Sequence, residues 1–150
     1  MFNKARKVAS ARHVDAYLVS AVLAIEMIAR GVVHRQVERL IARLWLTIRR
    51  EKRLEEMSLG VCQVQVRHLG TDIPVRSRVQ ILLRADGCID ACAQVLLRAC
   101  ADNELSAENA SGWTRRDWRE LGHAYNGTFD YGDVLQHAYR CLLRRNDLTM

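Results

Sequence analysis

Glu26 is set among Leu23, Ala24 and Ile25 on one side and Met27 and Ile28 on the other. Desolvation disfavours the charged form of a carboxyl group, so a glutamate with such neighbours keeps its proton to higher pH than one in water. A general acid needs that property, because it must carry a proton near neutral pH and deliver it to a leaving oxygen. The plainer reading pairs Glu26 with Arg30, one helical turn further on. Downstream, Ser58-Leu59-Gly60-Val61-Cys62-Gln63-Val64 supplies a glycine and a glutamine. Glycine lets a backbone pass close to a ligand. The glutamine amide both donates and accepts. Late in the chain, Ala124-Tyr125-Asn126-Gly127 adds a phenol hydroxyl and a second amide. Taken singly, the second and third pieces also read as ordinary turns, a helix-entry turn and a type I′ or II turn.

In this order, the three pieces resemble the lytic transglycosylases of lysozyme-like fold. The Gly60–Gln63 segment is similar to that family's Gly-Leu-Met-Gln loop, with Cys62 where methionine is usual, and Tyr125-Asn126 is similar to its Tyr-Asn segment. The likeness covers roughly residues 14–69 and 113–143. It implies an all-α, lysozyme-like helical domain with a central buried helix. It also implies cleavage of the MurNAc-GlcNAc bond of peptidoglycan at the bacterial cell wall or periplasm, without metal or cofactor. Glu26 is then the single catalytic acid and base. Ser58, Gly60, Gln63, Tyr125 and Asn126 bind the glycan, and Gln63 and Tyr125 converge on Glu26. The muramic acid's own 6-hydroxyl attacks, leaving a 1,6-anhydro end. A hydrolytic muramidase is the second choice, and inverting or retaining hydrolysis calls for a second carboxylate. Asp130, Asp133, Glu55 and Glu56 are the candidates. The chain departs from the family in having Met27 where a serine commonly follows the glutamate. It also carries a long basic segment between Glu26 and Gly60.

At 150 residues, 49% apolar and 27% charged, the chain can bury a real core. We divide it into a basic, frayed leader over 1–11 and a single domain over 12–150. The net charge of +6 is uneven. Residues 1–53 hold twelve Lys and Arg against four Asp and Glu, whereas residues 54–150 hold eleven against thirteen. A basic front half suits a polyanionic partner, whether nucleic acid, anionic lipid or an anionic cell wall, and charge alone does not choose among them. The resemblance implies the cell wall, with salt-sensitive binding. The rival readings are a non-enzymatic, helical nucleic-acid-binding module and an inactive lysozyme-like binding domain. Nucleic acid is the less favoured partner, since Trp45 is the lone aromatic of the basic segment. The basic residues before the apolar stretch 16–25 have the look of a signal peptide, but Asp15 and Glu26 bracket that stretch and no small-residue cleavage site follows. Export would then use a dedicated secretion machine or a phage lysis system, or the chain would travel as part of a longer polypeptide. No apolar run reaches membrane-spanning length.

Periodicity predicts helices over 12–29, 34–56, 75–84, 86–101, 114–123 and 131–144. Gly31 would stop the first. The second carries an apolar stripe of Val37, Leu40, Ile41, Leu44, Trp45 and Ile48. The 58–69 stretch reads as a turn into a short helix, with a strand as the rival. Thr114 with Asp117 makes an acidic capping box. Cys88, Cys92 and Cys100 fall on one helix as small buried hydrophobes, and no zinc-ligand spacing is present. In the last helix Val134, Leu135, Ala138, Cys141 and Leu142 are read as inward.

Overall fold

The computed structural model describes residues 1–29 and 32–147. The described residues form eight α-helices, one two-stranded hairpin and a 3-10 turn. The helices are α1 (Phe2–Arg12), α2 (Ala16–Ala29), α3 (Val32–Thr47), α4 (Glu51–Glu55), α5 (Val75–Leu83), α6 (Ala85–Asp102), α7 (Arg115–Asn126) and α8 (Phe129–Asp147). The predominantly helical class expected from the sequence is what is observed. The chain divides into two compact units, one of Met1–Ile25 with Ala93–Met150 and one of Glu26–Cys92. Both boundaries fall inside helices, α2 and α6, which is why composition shows no linker.

In the first unit, Asp15 caps the start of α2. Its Oδ1 accepts the Tyr17 and Leu18 backbone N–H groups at 2.8 and 3.4 Å, satisfying donors that a helix start leaves open. Its Oδ2 accepts the Ala110 N–H at 3.1 Å and the Tyr139 hydroxyl at 2.6 Å. The Asp15 N–H donates to the Ala107 carbonyl at 2.7 Å. One carboxylate therefore joins a helix start, a loop and α8. Burial, then the Asp15 carboxylate, push the Tyr139 phenol well above its ordinary range. Around Tyr139, Trp118 packs at 5.0 Å between ring centroids, and Trp113 packs on Trp118 at 4.9 Å. Both tryptophans are buried, so they are core residues. Residues Leu18, Val19, Ala21, Val22 and Leu23 are wholly buried, as expected of a core helix, whereas Ile28 is 84% exposed.

The Thr114–Asp117 capping box forms as expected, with both reciprocal bonds present. α7 ends at Asn126, and Gly127 takes a left-handed conformation (φ 82°) with its N–H on the His123 carbonyl at 2.7 Å. Asn126-Gly127 is thus a helix C-cap, not a hairpin-type turn. α7 and α8 meet through Gly122 and Gly132, where an added Cβ would strike the facing backbone.

Several local expectations are corrected. The leader read as frayed is α1, with Ala5 and Ala9 buried one turn apart. The 34–56 helix is broken after Thr47. Arg49 is left-handed (φ 55°) and the Arg50 N–H reaches back to the Trp45 carbonyl at 3.0 Å, a helix-ending pattern made without glycine. Of the stripe on α3, Val37, Leu40, Leu44 and Ile48 are exposed. In α8, Val134 and Cys141 are also exposed, while Leu135 is buried. The stop assigned to Gly31 lies outside the described residues.

Two outcomes follow. Asp15→Ala should destabilise the chain by about 2–4 kcal/mol, a lost cap plus a lost charge-assisted bond. Tyr139→Phe should cost less, and the double variant should cost less than the two single effects added together. Equilibrium urea unfolding of all three reads this, and strict additivity would dissolve the hub. Separately, Cys62, Cys88, Cys92 and Cys100 are buried and Cys141 is exposed, with burial pushing the Cys100 thiol up to about 11. A thiol-alkylating reagent should therefore label Cys141 rapidly in the native protein and the other four only on unfolding. Mass spectrometry of labelled peptides reports the order.

Candidate functional site

Ser58-Leu59 and Val64-Gln65 pair antiparallel as β1 and β2, with Ser58 opposite Gln65 and Leu59 opposite Val64. The Gly-x-x-Gln tetrapeptide is the loop between them, and the 3-10 turn Val66–Leu69 follows. Both readings of this stretch hold in part: two-residue strands flank the turn, and the short helix follows as Val66–Leu69. Gly60 has φ 78°, and a Cβ there would overlap the Leu82 carbonyl and come within 2.5 Å of the Cys88 sulfur. Both backbone freedom and absence of a side chain are required at this position. The loop is held from beneath by thiols. The Cys62 N–H points to Cys88 Sγ at 3.4 Å, and Cys88 Sγ lies 3.5 Å from the Leu59 carbonyl. Hydrogen bonding to Cys88 and Cys92, reinforced by burial, raises the Cys62 thiol well above its ordinary pKa, so it stays a neutral packing group.

Gln63 closes the loop in a left-handed conformation (φ 51°) and is 8% exposed. A non-glycine residue in that region is uncommon and costs free energy that the surroundings must offset. Its Nε2 donates to Glu38 Oε2 at 2.9 Å and to the Gly60 carbonyl at 3.0 Å. Two acceptors on one side fix which end of the amide is nitrogen. The Oε1 atom then faces elsewhere, buried and without a hydrogen-bond partner. A buried unsatisfied acceptor is costly and calls for an explanation. Glu38, from α3, is a residue that sequence reasoning passed over. Its side chain is 13% exposed, and its other oxygen lies 3.2 Å from His34 Nε2. No local motif marks it; the signal available in sequence was an acid inside an otherwise basic helix.

Glu26 is 5% exposed and belongs to the same unit as Ser58, Gly60, Gln63 and Glu38. The Arg30 pairing considered for Glu26 lies outside the described residues. Tyr125 and Asn126 belong to the other unit, in the last turn of α7. Tyr125 stacks on Tyr131 at 5.8 Å between ring centroids, and Asn126 is exposed.

Of the four acids weighed as second carboxylates, two are engaged in ion pairs. Asp133 accepts two bonds from Arg115 at 2.9 and 3.1 Å, which hold it below the usual carboxylate range. Glu55 pairs at 2.8 Å with Arg78, which is nearly buried. Asp130 and Glu56 are exposed at helix ends.

Gly60→Ala should lower stability by about 2–4 kcal/mol, combining a left-handed alanine with a backbone overlap. Thermal unfolding of that variant checks it, and a change within about 0.5 kcal/mol, the size of a neutral surface substitution, would contradict the packing described.

No protein-family model, no curated protein and no solved structure matches this chain.

Proposed function

We propose that this protein cleaves the glycan strands of peptidoglycan as a lytic transglycosylase, with Glu26 as its acid and base. One observation carries the reading: the Gly60–Gln63 loop presents a strained, buried glutamine with an unpartnered amide oxygen, in the unit that also buries Glu26. A site built to bind a polar ligand leaves such an atom for the ligand to satisfy. The acetamido N–H of an amino sugar is a donor of the right kind for Gln63 Oε1. Glu38 acts as a positioning residue, holding Nε2 so that Oε1 is the end left without a partner.

In this reading, Glu26 gives its proton to the glycosidic oxygen between MurNAc and GlcNAc, and the C1–O bond breaks. The resulting carboxylate takes the proton from the muramic 6-hydroxyl as that oxygen bonds to C1. The bond pair stays with the departing GlcNAc, the glutamate ends reprotonated, and no water is consumed. One acid suffices, which accords with the engagement of Asp133 and Glu55 in ion pairs. The resemblance further assigns Ser58, Tyr125 and Asn126 to glycan binding.

Purified peptidoglycan digested with the protein should yield 1,6-anhydro ends by mass spectrometry. General acid catalysis typically contributes about 10²–10⁴-fold, so Glu26→Gln should lower cleavage by that factor while sacculus binding persists. Reducing ends would shift the reading to a muramidase. Absence of cleavage by the unaltered protein, or undiminished cleavage by folded Glu26→Gln, would remove it.

A further inference from the structure

α3 is amphipathic with its apolar side turned outward. Val37, Leu40, Leu44 and Ile48 recur at steps of three and four residues and are 47%, 63%, 57% and 51% exposed. The Ile48 N–H still bonds to the Leu44 carbonyl at 3.0 Å, so the stripe is continuous through the helix end. The opposite side holds Ala42, wholly buried, and Glu38, tied to Gln63. An exposed apolar row of this length is not the scattered single hydrophobe of an ordinary surface.

Charge narrows what covers it. Residues 34–53 hold seven Arg and Lys against two Glu. Arg43 is exposed on the helix, and Arg49, Arg50, Lys52 and Arg53 are exposed just beyond it. A second copy of this chain would bring two such basic segments together, and like charges oppose that. A nucleic acid or a glycan strand answers the arginines but offers no apolar layer for two leucines, a valine and an isoleucine. An anionic lipid surface answers both, with headgroup phosphates for the basic residues and acyl chains for the stripe.

We infer that α3 is an in-plane membrane-docking helix for anionic phospholipid, lying in the headgroup region with Val37, Leu40, Leu44 and Ile48 in the acyl boundary. In this placement it lies along the bilayer rather than across it; no single described helix is long and apolar enough to cross one. This docking is independent of wall cleavage and holds or fails without it.

The test is co-sedimentation of the full chain with vesicles of phosphatidylglycerol and phosphatidylcholine, against vesicles of phosphatidylcholine alone. The chain should pellet with the anionic vesicles, and added salt should weaken binding. The double variant Leu40→Ser, Leu44→Ser should bind about a hundredfold more weakly, since each leucine contributes about tenfold when buried. Both positions are exposed, so its thermal unfolding should match the parent's. Failure of the parent to bind anionic vesicles would overturn the inference, as would undiminished binding by the double variant. So would a lipid-free dimer in sedimentation velocity that the double variant abolishes, which would assign the stripe to a second copy.

Discussion

The hydrogen bond between Gln63 and Glu38 decides more of the second unit than its 2.9 Å length suggests. A helix with an apolar side and a polar side has two ways to sit on a core, and burial of apolar area alone would choose the apolar one. Here the side carrying Glu38 and Ala42 is inward. A carboxylate so placed must be bonded, and the Gln63 amide is its partner from the loop, beside His34 on its own helix. That single pairing orients α3, fixes the amide's direction, and sends Val37, Leu40 and Leu44 to the surface. The exposed stripe and the unpartnered, buried amide oxygen are two results of one choice.

The hairpin loop must in turn be brought to where Gln63 can meet Glu38. Gly60 allows this by having nothing between its backbone and the Leu82 carbonyl. The cysteines serve the same end. Cys88 is small enough to sit beneath the loop, and its sulfur takes the Cys62 N–H, which would otherwise be buried without a partner. Larger hydrophobes at these positions would fill the space the loop occupies. Beside them, Arg78 holds the Val66 carbonyl and Glu55, joining α5 to the chain on either side of the hairpin.

What could be read in the sequence followed its periodic and local signals. The helices at 75–84 and 86–101, the Thr114–Asp117 cap and the burial of Cys88, Cys92 and Cys100 all rest on interactions within a few residues, or on a face with one clear destination. The breaks were harder. α3 ends at Thr47 with a left-handed arginine, and a stop made without glycine or proline leaves no mark in composition. α1 was hidden because its inward residues are two alanines, too small to make a visible stripe. In the candidate site, Glu26 could be named from its apolar neighbours, and Gly60 and Gln63 from the resemblance. Glu38 could not, because its role depends on a partner twenty-five residues away.

The misplaced stripe on α3 marks a limit of periodicity as a guide to burial. A regular apolar pattern establishes that one side of a helix differs from the other. It does not establish which side meets the core. That depends on whether the polar side contains a group with a better partner inside than water provides, and Glu38 is such a group. Where this happens, the apolar side remains as surface. Selection of folded chains for solubility disfavours a surface of that kind unless something covers it. A helix whose Glu38 side is inward, and whose apolar side is followed by exposed basic residues, therefore serves two contacts at once. The inward one shapes the loop that carries Gln63, and the outward one is left for a partner that is both greasy and negative.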